Sequence, residues 1–213
     1  MLSRLQRGIE QVYRVDTQVA VDDYVLDADA RAALGVGRQP REQLLVAHGA
    51  DDELELGLFV DERALANLER HDPATLLDHR NLDDFLLTVE GVSHFVYLVW
   101  RARADRAVSA LELELQAEVD KYVTTLLTME SAGRVPAELA RQLFGDVEFA
   151  DDLDDEESVR YRVANENAHR YSESLHRRYV QSRRIDGMLR ELRRFYRLTL
   201  ADKLAWIRDT MAA

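Results

Sequence analysis

Apolar residues recur every three or four positions over most of this chain, and at every second position only in short stretches near its start. The first period belongs to helices and the second to strands. Leu2, Leu5, Ile9 and Val12 predict a short first helix. Residues 18–27, QVAVDDYVLD, read as containing a strand. Two further apolar segments, EQLLVAHG and ELELGLFVD, flank Gly49-Ala50-Asp51-Asp52 and predict a β-hairpin. Asp61 then has the position of an N-cap for a helix through ERALANLERH.

From about residue 75 onward the pattern is helical. One long helix covers about 81–103, with Asn81 as its cap. A second opens at Ser109, where Ser109 and Glu112 have capping-box spacing, and runs to about Met129. Its LELELQ start also fits a two-residue period. The downstream spacing of Val119, Tyr122, Leu126 and Met129 decides for helix. A short helix at 136–144 follows Pro136, and Ser158 opens a long one to about 182. Residues 185–198 form another, and Thr199 with Asp202 caps a last helix bearing Leu200, Leu204, Ile207 and Met211 on one face. The expected fold is mainly α: a helical bundle with a small N-terminal hairpin, in a single domain spanning 1–213.

Composition agrees with long helices. The 213 residues include only 3 Pro and 9 Gly, too few for the turns of a sandwich or barrel. The absence of Cys excludes disulfides, thiolate zinc sites, iron–sulfur clusters and thiol nucleophiles. The apolar run at 85–100 is too short, and too polar along one stripe, to span a bilayer. No signal-peptide core precedes it, so the expected compartment is the cytoplasm. Lys121 and Lys203 are the only lysines in an Arg-, Ala-, Leu- and Asp-rich chain, a composition that reads as bias of a GC-rich bacterial genome.

Charge divides the chain. Residues 158–213 hold 13 basic and 6 acidic side chains, whereas residues 1–157 hold 15 and 34, giving −12 in total. The boundary is an acidic run at 145–158, GDVEFADDLDDEES, read as a solvated loop. An acidic N-terminal part and a basic helical tail can attract each other, or the tail can meet an acidic partner.

Candidate chemistry concentrates on the apolar helix. Asp83, Glu90, Ser93, His94, Tyr97 and Arg101 fall on one stripe of it. Glu90 and His94, four apart, either bond to each other or form part of a site. With Glu118 from the next helix and His169 from the one after, they would suit non-haem Fe, Mn or Zn. Glu118 is also a candidate partner for Arg101 or His94. Residues 166–176 carry Glu-x-x-His twice, but both copies lie on one helix and face away from its apolar side, which reads as a solvated face. The tail offers Arg190, Arg193, Arg194, Arg197, Tyr196 and Trp206 as partner-binding residues, since Arg and aromatic side chains are enriched at interfaces. The acidic pI near 5.0 weighs against nucleic acid. No phosphate-binding loop, GxGxxG, GxSxG or HExxH is present. The first expectation is therefore an accessory protein that binds a protein partner or itself. The second is a metal-dependent or acid–base enzyme centred on Glu90 and His94. Nucleic-acid binding through the basic helices comes third.

Overall fold

The computed structural model describes residues 1–35, 39–48, 54–131, 133, 135–136, 138–145 and 154–212. Its elements run α1 (Leu2–Tyr13), a 3-10 turn (Val21–Tyr24), α2 (Ala28–Ala33), β1 (Glu42–His48), β2 (Leu54–Val60), α3 (Glu62–Arg70), α4 (Leu82–Ala102) and α5 (Ala110–Ser131). There follow α6 (Leu139–Phe144), α7 (Asp155–Leu175), a π turn (His176–Val180), α8 (Ile185–Arg197) and α9 (Leu200–Ala212). Mainly α with one small antiparallel hairpin is the architecture found, and β1 pairs β2 from Glu42↔Val60 to His48↔Leu54. The hairpin turn expected at 49–52 and the acidic residues 146–153 lie outside the described residues.

Caps set the helix boundaries. Asp61 accepts from Arg63 N at 2.9 Å and starts α3. Ser109 Oγ accepts from Glu112 N at 3.2 Å and starts α5, settling the LELELQ segment as helix. Asn81 precedes α4 but does not cap it with its side chain; it accepts from Asp78 N and donates to the carbonyls of His71 and Leu76. The long helix expected to open at Ser158 opens earlier. Asp154 and Glu157 form a capping box, and Asp155, Glu156 and Glu157 occupy the first turn. The end of the acidic run is thus helix, because acidic side chains complement the exposed N–H groups there.

The strand expected in 18–27 is a 3-10 turn instead. Gln6 Oε1 takes Val21 N at 2.9 Å, and the segment meets the sheet through one parallel bridge, Val25 to Leu58, with Leu26 N donating to Leu58 O at 2.8 Å. Side-chain capture of the backbone competes here with strand pairing.

Helices α4 and α5 form the centre. The hairpin, α1 and α3 pack on α4, and α7 packs on α5 with α6 and α9 beyond. Helix α4 is buried almost throughout, from Phe85 to Arg101. Gly91 lets the hairpin approach it: a Cβ there would meet Glu42 Cγ and Oε1 at 3.0 Å and Leu58 Cδ1 at 3.1 Å. The basic tail turns inward to α1. Arg193 Nε donates to Val12 O at 2.9 Å, and Arg197 donates to the carbonyls of Tyr13 and Arg14 at 3.1 Å each. These are the orphan carbonyls at the helix C-terminus, where a cation is doubly favourable. No helix among the described residues is long and apolar enough to cross a membrane.

Candidate functional site

Two polar stripes run along α5, at positions 112/116/120 and 114/118/121, and each meets a polar position of α4. The result is two buried clusters side by side.

The inner cluster is a hydrogen-bond network in which Arg101 Nε and Nη1 are buried without a hydrogen bond among the described residues. Tyr97 Oη donates to Glu112 Oε1 at 2.5 Å, and Arg101 donates to the same oxygen at 2.9 Å. Lys203 from α9 donates to Tyr97 Oη at 2.9 Å and to Gln116 Oε1 at 2.7 Å. Asp120 accepts from Ser93 at 2.6 Å, from Gln116 at 2.9 Å and from Tyr13. Burial pushes the Asp120 carboxyl up to about 6, against its three donors. Burial likewise lowers the Lys203 amine to about 7, since Glu112 and Asp120 attract it only from a distance. Tyr196, stacked on Tyr13 at 3.9 Å, closes this region on one side.

The outer cluster lies under the hairpin and contains more charge than it neutralises. His94 sits between two carboxylates, with Nδ1 3.6 Å from Glu42 Oε1 and Nε2 3.5 Å from Glu114 Oε2. Beside it, Lys121 pairs with Glu90 at 2.5 Å and Glu118 at 2.8 Å. Four carboxylates therefore face one imidazole and one ammonium. Burial opposes the imidazolium, but Glu114 and Glu42 outweigh it and hold His94 well above the ordinary histidine range. Burial raises Glu42 and Glu118, whereas Lys121 and His94 overcome burial and lower Glu90. Burial and the charges of Glu114, Glu90 and Glu42 push up the nearby Tyr161 phenol of α7.

The donor atoms around His94 lie close enough together for one ion to bridge them. His94 Nε2 and Glu42 Oε1 are buried and make no hydrogen bond among the described residues. One donor atom each from Glu90, His94 and Glu114 lies within 4.8 Å of the others. Two ligands held by one ion at about 2.1 Å stand about 3.0–3.5 Å apart, close to the 3.5 Å between His94 and Glu114.

Several sequence expectations sort differently in three dimensions. Glu90 and His94 do not bond to each other; Lys121 takes Glu90, and Glu42 and Glu114 flank His94. Glu118 is partner to neither Arg101 nor His94, because Glu112 faces Arg101 and Glu114 faces His94. Tyr97 and Arg101 belong to the inner cluster. His169 stands apart from both, 3.5 Å from Glu173 on its own helix and against Phe144. Among the tail residues Tyr196 is buried and Arg193 and Arg197 hold α1, while Arg190, Arg194 and Trp206 line a separate groove.

Glu42, Glu114, Asp120, Lys121 and Lys203 are central here but absent from the expected set. The lysines carried a readable signal. A chain that writes nearly every basic position as Arg keeps Lys at two positions only, and both lie in these clusters, Lys203 buried and Lys121 half-buried. A compact ammonium fits where the wide guanidinium fork does not. Comparison with family models, with curated proteins and with solved structures returned no match.

Proposed function

We propose that this chain is a metal-binding helical protein whose centre is Glu90, His94 and Glu114, with Glu42 and Glu118 close by. The observation that carries this reading is the buried His94 Nε2, without a hydrogen bond among the described residues and 3.5 Å from Glu114 Oε2. A divalent ion would displace the imidazole proton and offset the excess of carboxylate charge. Because Lys121 also holds Glu118, Glu90 can turn an oxygen to the ion without leaving the ammonium unpaired. One imidazole among carboxylates favours Mn²⁺ or Fe²⁺, with Zn²⁺ as competitor. Such a centre supports acid–base chemistry on a bound water.

Elemental analysis of untagged protein, purified without chelator, tests this. Near-stoichiometric Mn, Fe or Zn, lost in His94→Ala and Glu114→Ala, is the expected result. A folded protein that takes up none of the three on titration overturns the proposal.

Partner binding, the other reading, is favoured by one specific surface. Val46 on β1 and Leu34 after α2 are 48% and 59% exposed and line one groove with Leu26, Leu45 and Leu56. Lone exposed apolar residues are common, but a group of them beside a small groove fits a hydrophobic contact surface. That surface supports a reading in which the hairpin meets a partner, a second copy of the chain being the first candidate. Light scattering of wild type and Val46→Asp decides: a dimer that the substitution dissociates is expected, and a wild-type monomer removes the self-association.

A further inference from the structure

A second concave site lies at the far end of α7, where the chain turns into α8. It encloses about 810 Å³, within the range of small-molecule pockets. Its wall contains five arginines, Arg178, Arg183, Arg184, Arg190 and Arg194, with Trp206 alongside. Arg178 is committed to Glu191 and to Tyr179 Oη. Arg184 hydrogen-bonds Ser182 Oγ and the carbonyl of Arg178. Among the described residues no carboxylate forms an ion pair with Arg183, Arg190 or Arg194. Glu130 and Asp186 are the other acidic residues of the wall, so two positive charges remain in excess. That excess stands on a chain of net charge −12.

The backbone is irregular at this same place. Arg178 and Tyr179 lie in the π turn, a feature common at functional sites. Arg183 takes a left-handed conformation, φ 53°. Arg184, the residue before α8, makes no side-chain cap, and the first residues Ile185, Asp186 and Gly187 line the groove, with Gly187 N donating to Arg184 O at 2.9 Å. The start of the helix and guanidiniums without an ion pair among the described residues face one volume, and both favour an anion.

We propose that this groove binds a small phosphorylated anion with at least two negative charges, of the kind a nucleotide's polyphosphate tail provides. Arg190 and Arg194 fork onto the phosphoryl oxygens, and Trp206 lies along the organic part. A nucleic-acid strand fits less well. Arg193 and Arg197, which would extend the basic surface along α8, are committed to the carbonyls of α1. The free positive charge is therefore a pocket and not a track.

Calorimetric titration of the full chain with ATP, pyrophosphate, citrate and oligothymidylate is the test, together with Arg190→Ala/Arg194→Ala. Both arginines are exposed, so the variant should melt with wild type. ATP and pyrophosphate should bind, and the double substitution should weaken them at least ~10-fold by removing two charge-assisted contacts. Tighter ATP than pyrophosphate, with fluorescence quenching lost in Trp206→Phe, identifies a nucleotide; equal affinities identify the phosphoryl tail alone. Binding of neither ligand, citrate as tight as pyrophosphate, oligothymidylate tighter than ATP, or affinities unchanged in the double variant overturns the proposal. The result is independent of the metal content of the Glu90–His94–Glu114 centre.

Discussion

Lys203 Nζ donates to Tyr97 Oη at 2.9 Å across 106 residues of sequence, and neither side chain reaches solvent. Among the described residues no carboxylate contacts its ammonium, and burial lowers it to about 7. An amine lowered from 10.5 contributes stability that is full above its unfolded pKa and lost as pH falls through 7. Asp120, raised from 3.8 to about 6, behaves oppositely: its contribution is full in acid and lost as pH rises through 6. Together they make the interval between about pH 6 and 7 the least favourable for this core. From about pH 7 to 9 the Lys203 contribution should raise stability by up to ~2–3 kcal/mol. Urea unfolding of wild type and Lys203→Met across that interval checks this; the rise should be missing from the variant.

Among the described residues Glu112 is the one carboxylate paired with the buried Arg101, and Tyr97 donates to the same oxygen. Glu112→Gln leaves a guanidinium in the core without its counter-charge. Removing one partner of a buried pair costs about 3–5 kcal/mol. A drop of that size in chemical denaturation is expected; a loss below about 1 kcal/mol would mean that water reaches Arg101.

Gly91→Ala should destabilise, although Ala is the better helix former by about 1 kcal/mol. The added methyl would press on Leu58, which is fully buried, and on Glu42. Overpacking of this kind costs about 1–3 kcal/mol, so the net effect is small but negative. Because Glu42 moves, the melting temperature and the metal affinity should fall together.

Arg193→Ala and Arg197→Ala should each cost about 1–2 kcal/mol, the range of a charged donor on helix-terminal carbonyls. Arg190→Ala, on the same helix, should leave thermal melting unchanged. This contrast separates the arginines that hold the fold from those free to meet a ligand.

Helices and caps were readable from the sequence because they depend on local spacing. Asp61, Ser109 and Thr199 each act within three residues of their own position. The polar stripe of α4 was legible in part: Glu90, Ser93, His94, Tyr97 and Arg101 are buried or half-buried, divided between the two clusters, whereas Asp83 is exposed. Their partners were not legible. Glu42 arrives from a strand 52 positions before His94, and Lys203 comes from the last helix. Helical periodicity says which way a residue points, not which element lies opposite. The tail misled for the same reason: its arginines looked free in one dimension, and α1 takes two of them.

The grip of Arg193 and Arg197 on Val12, Tyr13 and Arg14 joins positions some 180 residues apart. During synthesis at about 5–20 residues per second, α1 would be exposed for roughly 9–36 s before α8 exists to close on it. Its apolar face, Leu2, Leu5 and Ile9, must meanwhile shelter on α4 or on a chaperone. Helix α8 thus acts as a clasp on α1, and ribosomal stalling before it would leave α1 held by α4 and α5 without that clasp.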